Sequence, residues 1–449
     1  ATIANRIVNE VDHVNRVVEK NQLIPRNSEI SRIAKGLIGV KRTTGQHPGG
    51  IVVVPKEREI FDFTPIQYPA NKSESGIITT HFDFNAMHDT ILKLDILGHD
   101  DPSMLKMLGD LTGVDIYTIP IPDEKVMALF HGTDSLGIPT EESTIGSGTI
   151  GLPELGTKMA REMIAETNPT KFYDLIQISG LSHGTDVWKG NAQDLIRSGT
   201  CTIDEVIGCR DSIMTYLIYA GLPSKASFDI MEKVRKGRGL SAEHEQLMRD
   251  NHVPDWYIDS CKKIKYMFPK AHAVAYIMSA LRIAWFKVYH PEAYYCAFFT
   301  IRATDFKSDY LMGTPDEIRI RRKQEDRRFM DMTKDEQKKF FYLELVEEMM
   351  DRGIEFLPVS IEESHAVDFY YPEKGKIRPP LNVVPGISDN IALSIVKARE
   401  DGEFRNIEEL RLRSGIGQSC IENLRQEGVL DHLPESAQVD LFSLLDNAM

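Results

Sequence analysis

Asp95 stands inside the apolar run "HDTILKLDILGHDD" at residues 88–101, and it is the first residue whose setting could do chemistry. As a strand, this run puts Leu92, Leu94 and Ile96 on one face and Ile91, Lys93, Asp95 and Leu97 on the other. The first face is wholly apolar and is expected to meet a core. The second carries a lysine and an aspartate two residues apart. Gly98 then ends the strand, and Pro102 suits the first turn of a helix. A carboxylate at a strand end is well placed to hold a metal ion, because the sheet fixes its position. The plainer alternative is a rim aspartate, solvated or paired with Lys93.

A second group lies in "YMFPKAHAVAYIMSALRIAWFKVYHPEAYY". Pro269 predicts a helix start, and Pro291 stops that helix after Tyr289 or His290. Lys270 and His272 fall in the first turn, where the helix dipole disfavours positive charge unless an anion is bound. Ala271, Ala275 and Ser279 form a line of small residues with Arg282 one step further round, so another body could approach closely. The alternative is a basic surface helix packing Val274, Ile277 and Leu281 on a core. "ISGLSHGTDVWKGN" reads as a glycine-rich loop presenting Ser179, Ser182, His183, Thr185 and Asp186. A Ser/His nucleophile pair there lacks the strand-to-elbow context that such chemistry needs.

Two stretches near the C-terminus, "LNVVPGISDNIALSIVKARE" and "LRSGIGQSCIENLRQEGVL", resemble helix-hairpin-helix units, which grip duplex backbone without reading sequence. Gly386 belongs to the first and Gly415-Ile416-Gly417 to the second; Ser388 replaces the second glycine of the first. Cys201, Cys209 and Cys261 are a zinc option if they meet in space, but they lack a C-x-x-C knuckle, and buried structural thiols are the competing reading.

These residues need elements to position them. The 449-residue chain is long enough for about three domains. Its net charge of −14 weighs against nucleic acid, yet between Cys261 and Pro291 there are six Lys or Arg and no Asp or Glu. That basic segment is what a phosphate-facing surface requires. No apolar run reaches transmembrane length, and five scattered cysteines suggest a reducing, cytoplasmic setting. The start at Ala1, directly in a helical pattern, suggests a piece of a longer polypeptide. The fold class expected is α+β. Residues 1–40 read as two helices, followed by strands in "GGIVVVP", "FDFTPIQYP" and "IITTHFDF" and by the Asp95 strand, forming one small sheet. Residues 102 to about 300 read as mostly helical. Residues 307–350 are strongly charged and read as a solvated helical hairpin. Residues 354–380 read as short strands and loops, and residues 381–432 as a small helical unit.

Taken together, "KRTTGQHPGGIVVVP", "DFTPIQYPA", "THFDF", "LKLDILGHDDP", "GTIGLPELGT", "QISGLSHGTDVWKGNAQDLI", "CKKIKYMFPKAHAVAYIMSALRIAWFKV" and "VPGI…VKAREDGEF" resemble the PolC-type replicative DNA polymerase III alpha subunit of low-GC Gram-positive bacteria. The resemblance runs from about residue 38 to the C-terminus. It implies the C-terminal portion of such an enzyme: the last part of the palm at 1–101, with a partial palm sheet, and fingers at 102–300. A fingers or connector region at 301–380, a helix-hairpin-helix region at 381–433 and a clamp-binding tail at 434–449 would follow.

In that family three palm carboxylates hold two Mg²⁺ ions, and the third maps onto Asp95. The other two form a D-x-D upstream of this chain's first residue, so the chain as given is expected to be inactive alone. The resemblance further implies that Ser182, His183, Arg210, Phe268, Lys270, His272 and Arg282 bind the incoming dNTP. Gly386, Gly415 and Gly417 would touch primer–template DNA. Gln438, Leu441 and Phe442, in a Q-x-x-L-F pattern, would bind the sliding clamp, with other replisome subunits as further partners, no membrane, and a cytoplasmic place at the nucleoid. The alternative is a non-catalytic module that binds duplex DNA and clamp.

Overall fold

The computed structural model describes residues 26–40, 44–47, 49–96, 98–144 and 146–436, together with residues 11, 14, 15 and 20. The fold is α+β, and the chain divides into two compact units, Ala1–His99 and Asp100–Met449. Most of the first expected N-terminal helix lies outside the described residues.

In the first unit the helix Asn27–Leu37 buries Ile30 and Ala34, which pack with Val14. Its spacing of apolar positions three and four apart is what places them on one stripe. The single small sheet expected from the sequence is two separate ribbons. Strand β1 (Gly50–Val53) and β2 (Ile66–Gln67) pair antiparallel with two later strands, β3 (Thr79–Thr80) and β4 (Leu92–Asp95). The pairs are β2 with β3 and β1 with β4, the latter in the register Gly50↔Asp95, Ile51↔Leu94, Val52↔Lys93 and Val53↔Leu92.

The face expected to meet a core does not do so among the described residues. Leu92, Leu94, Ile96, Ile51 and Val53 are exposed, and the buried apolar side chains here are Ile91 and Met87. The alternation along β4 is as the sequence implies, but a two-stranded ribbon brings no second layer to cover that face.

The second unit is built around the helix Lys270–Tyr289, which buries Ala273, Ile277, Ala280, Leu281, Ile283, Ala284, Phe286 and Lys287. Pro269 is its N-cap and Pro291 opens the next helix, Pro291–Ile301, as the two prolines predict. That second helix is apolar all round and buries Tyr294, Tyr295, Phe298 and Phe299. Each such side chain contributes about 1.5–3 kcal/mol of burial. Asp100–Thr112 and Phe172–His183 pack against this pair.

The helix Lys334–Asp351 corrects the reading of 307–350 as a solvated hairpin. It buries Glu344, Glu347 and Glu348 along with Leu343, Leu345, Val346 and Met349. Buried charge persists only where it is paired and hydrogen-bonded. Here Lys287 Nζ donates to Glu348 Oε2 at 2.8 Å and to the carbonyls of Gly148 and Ile150 at 2.9 and 2.6 Å. The Tyr295 hydroxyl donates to Glu348 Oε1 at 2.7 Å. Arg161 makes a two-pronged pair with Glu344 at 3.1 and 2.8 Å, and Arg322 pairs with Glu347. The partners come from 25 to 183 residues away in sequence, which is why charge count alone misread the segment.

Short strands follow as expected. β5 (Glu355–Phe356) and β6 (Tyr370–Glu373) flank β7 (Lys376–Arg378), the first parallel and the second antiparallel. The helices Asp389–Arg399, Ile407–Ser414 and Gln418–Gln426 complete the described chain. Among the described residues no helix is long and apolar enough to cross a membrane.

Candidate functional site

Asp95 closes β4, and its carboxylate lies 3.0 Å from Lys93 Nζ with about half of its side chain exposed, 52%. Lys93 Nζ also sits 4.8 Å from the centre of the Phe84 ring. Cross-strand from Asp95 is Gly50, and a Cβ there would come within 3.0 Å of His47 Nδ1. His47 Nδ1 accepts a hydrogen bond from the Gly49 amide at 3.2 Å. His47 was missed in the sequence; its only signal is its place two residues before the paired glycines of "HPGG".

Mg²⁺ is ordinarily held by one or two carboxylates with substrate phosphates and water. Asp95 furnishes one exposed carboxylate, and no group of three or more metal-ligating side chains is gathered among the described residues.

The zinc option fails on the same ground. Cys201 and Cys261 belong to the large apolar core, and Cys209 packs with Ile176 and Ala273 in a separate cluster. Burial pushes the thiols of Cys201 and Cys209 up to about 11 and raises that of Cys261 further. With no group of metal-ligating side chains gathered among the described residues, the three read as buried structural thiols.

The second unit gathers most of the remaining candidates at one place. "ISGLSHGTDVWKGN" is not a loop at its start, because the helix Phe172–His183 runs through it. Gly180 is there for packing: a Cβ on it would lie 2.2 Å from the Gly208 carbonyl oxygen. This close approach brings the segment before Arg210 against the helix that ends in His183. Past that helix, Thr185 and Tyr266 form a short antiparallel bridge, with Thr185 N donating to Tyr266 O at 3.0 Å. The bridge carries Phe268 to the His183 ring, with centroids 5.4 Å apart edge to face. Phe268 stacks on His272 at 4.7 Å and 17°, and His272 meets Tyr276 at 4.3 Å.

Two helix starts converge here. Arg210 opens the helix Arg210–Tyr219, and its amide donates to the Phe268 carbonyl at 3.1 Å. The Lys270 amide donates to Asp211 Oδ2 at 2.6 Å. The first turn at Lys270 is therefore less unbalanced than the sequence suggests, since Asp211 caps it from another helix. Two cations remain at this place. Lys270 Nζ lies 4.8 Å from the Tyr173 ring centre, and Arg210 Nε is buried with no hydrogen-bond partner among the described residues, 3.9 Å from Asp211.

Ser182 is half-buried and donates to the carbonyl of Ser179 at 2.9 Å. Arg282 is not part of the cluster. It lies twelve residues along the helix from Lys270, about 18 Å away at the usual rise, with its guanidinium 5.6 Å from the Tyr117 ring. Its Nε is likewise buried and without a hydrogen-bond partner among the described residues.

Glu154, also missed in the sequence, meets the His183 Nε2. That hydrogen bond holds the His183 imidazole above its usual range, against a smaller opposing effect of burial.

The three candidate glycines are placed differently. Gly386 has φ of +79°, and a Cβ there would meet Asn423 Nδ2 at 2.1 Å, so it packs against the helix of the second hairpin. Ser388, which replaces a glycine, caps the helix Asp389–Arg399 by accepting from Ile391 N at 3.4 Å. Gly415 ends Ile407–Ser414 in the left-handed region, and Gly417 begins Gln418–Gln426 with no side-chain cap. No atom stands within 4 Å of a Cβ built at Gly415. Gln438, Leu441 and Phe442 lie outside the described residues.

Three family models match successive parts of the chain. They are the bacterial DNA polymerase III alpha NTPase domain at 2–98, the finger domain of the same subunit at 101–253, and a helix-hairpin-helix motif at 353–439. Curated relatives agree. The chain is 52% identical over 93% of its length to the protein named DNA polymerase III PolC-type in Staphylococcus haemolyticus. The proteins of that name in Staphylococcus epidermidis and Staphylococcus aureus strain MW2 are also 52% identical over 93% of the chain.

The resemblance is to PolC-type DNA polymerase III.

The chain spans 29% of the length of each of these relatives. His183 and Arg210 fall well inside the finger-domain match and Phe268, Lys270 and His272 beyond its end, while Asp95 falls in the preceding one.

Proposed function

We propose that this chain serves DNA-templated nucleotidyl transfer, contributing the end of a palm, the fingers and a duplex-holding region of a replicative polymerase. The observation that carries this reading is the meeting of the Arg210 and Lys270 helix starts beside the His183, Phe268 and His272 rings. Helix N-termini with lysine and arginine suit polyphosphate, and a half-buried aromatic stack suits a nucleobase. Ser182 borders this place, and Arg282 acts further along the helix.

Asp95 would hold Mg²⁺ together with groups outside the described residues, and the bound ion would supply charge neutralisation for phosphate transfer. Lys93, 3.0 Å away, would hold the carboxylate in place until then. Gly417, at the start of Gln418–Gln426, would offer its backbone amide to a duplex phosphate, while the Gly415 amide already donates to the Arg411 carbonyl at 3.0 Å and Gly415 would serve by its left-handed turn. Gln438, Leu441 and Phe442 would engage the sliding clamp, Gln at the pocket rim and the two apolar side chains in a cleft; the support for this is their sequence pattern.

The test is primer extension by the 449-residue chain with Mg²⁺ and four dNTPs, beside Asp95→Asn, with primer–template retention measured in parallel. Extension lost in the variant supports catalysis through Asp95. Retention of DNA and nucleotide without extension supports the holding roles and removes catalysis by this chain alone. Failure to retain either overturns the reading.

A further inference from the structure

Glu154 belongs to none of the roles assigned above, yet its placement is heavily constrained. It sits in the segment "GTIGLPELGT", residues 148–157, ahead of the helix Lys158–Thr167. That segment is fastened from below: the wholly buried Lys287 ammonium donates to the carbonyls of Gly148 and Ile150 and to Glu348. The Tyr294 hydroxyl adds a contact to the Ile150 carbonyl at 3.5 Å. Glu154 itself has φ of +62°, a left-handed conformation that a residue with a side chain adopts at a cost. Such a conformation persists where its surroundings fix it.

What the fixed backbone achieves is the delivery of a carboxylate to the His183 ring. The Glu154 side chain is only 13% exposed, and its Oε2 meets His183 Nε2, while the His183 ring stands edge-on to Phe268. With Nε2 engaged, no hydrogen bond holds His183 Nδ1 among the described residues, and the histidine is more than a third exposed, 37%.

We propose that Glu154 is a positioning residue for nucleotide binding: its carboxylate accepts from Nε2–H of the His183 imidazolium, fixes the ring against Phe268, and leaves Nδ1–H, which only that protonated form carries, as a donor for a nucleotide phosphate. This rests on the nucleotide reading of the site given above. The pair is close to neutral when the ring is protonated. Its contribution is therefore a fixed, charge-assisted N–H rather than net charge, which Lys270 and Arg210 bring. The pattern follows a general rule, that the hydrogen bond at one ring nitrogen decides what the other can do.

The groups that meet the ring are Glu154 from the loop, Phe268 from the bridge and His272 from the helix beyond. Of the two that titrate, Glu154 is what raises the His183 pKa.

The experiment uses the 449-residue chain with labelled histidine rings, in wild type, Glu154→Gln and His183→Ala. The resonance missing from His183→Ala is followed with pH by NMR, and dATP affinity is titrated at pH 7.5. The proposal expects the wild-type ring to titrate above 6.5 and to fall toward that value in Glu154→Gln. It also expects dATP affinity to drop about tenfold in both variants, the size of one charge-assisted hydrogen bond.

A wild-type ring that titrates at or below 6.5 overturns the pairing without any variant, so a poorly folding Glu154→Gln does not shelter it. A ring that moves as expected while dATP affinity stays unchanged in both variants overturns the nucleotide role and leaves the pair intact. Loss of affinity in His183→Ala with none in Glu154→Gln overturns the positioning role and leaves the nucleotide reading standing.

Discussion

Lys287 and Lys93 each stand beside a carboxylate, Glu348 at 2.8 Å and Asp95 at 3.0 Å, in opposite surroundings. The side chains of the first pair are 0% and 2% exposed, and those of the second 23% and 52%. Inside the second unit the charge is locked. Lys287 has three oxygen acceptors, Glu348 has a tyrosine hydroxyl as well, and removal of either partner strands the other. On the β1–β4 ribbon the pair is exchangeable. Water competes for both groups, and such pairs contribute about 0–1 kcal/mol, so parting Asp95 from Lys93 costs little. Similar local chemistry thus yields a structural pin in one unit and a loosely held, solvent-reached carboxylate in the other.

Replacement of Lys287 by Met sharpens that contrast most. It leaves the buried Glu348 without its counter-ion and takes a donor from the Gly148 and Ile150 carbonyls, and is expected to cost about 3–5 kcal/mol, read by urea unfolding. The pH profile follows from the same burial. Desolvation brings Lys287 from 10.5 down to about 8, so between those values the unfolded chain binds more protons than the folded one. Stability should therefore rise with pH across that window; a flat or falling profile in urea midpoints would break the assignment.

Gly180→Ala comes next, with a Cβ driven against the Gly208 carbonyl and an expected loss of about 1–3 kcal/mol. Lys93→Ala should cost no more than about 1 kcal/mol. If it matches the Lys287 variant, the comparison fails. Leu94→Ser, on the exposed ribbon face, should shift stability by no more than about 0.5 kcal/mol, measured by urea unfolding.

The two units were not equally legible in the sequence. The Lys270–Tyr289 helix was bounded correctly because Pro269 and Pro291 act locally, through φ and a missing N–H. The strand holding Asp95 was legible from alternation, but which face is covered was not, since that depends on what lies over it. Glu344, Glu347 and Glu348 looked solvated because their partners Arg161, Arg322 and Lys287 are distant in sequence. Lys270 and His272 were picked out by their place in a helix's first turn, His183 by its glycine-rich segment and Phe268 through the family resemblance, and the four do cluster. Glu154 and the Asp211 cap escaped notice, each being a single residue made meaningful only by a tertiary contact.

The central claim is that the convergent helix starts hold a nucleotide. It is tested most directly by titrating dATP into the 449-residue chain bound to primer–template, wild type beside Lys270→Ala. Loss of the ammonium should weaken dATP about tenfold or more, as for a charged hydrogen bond, with DNA affinity unchanged. Equal dATP affinity in the two proteins would contradict the account.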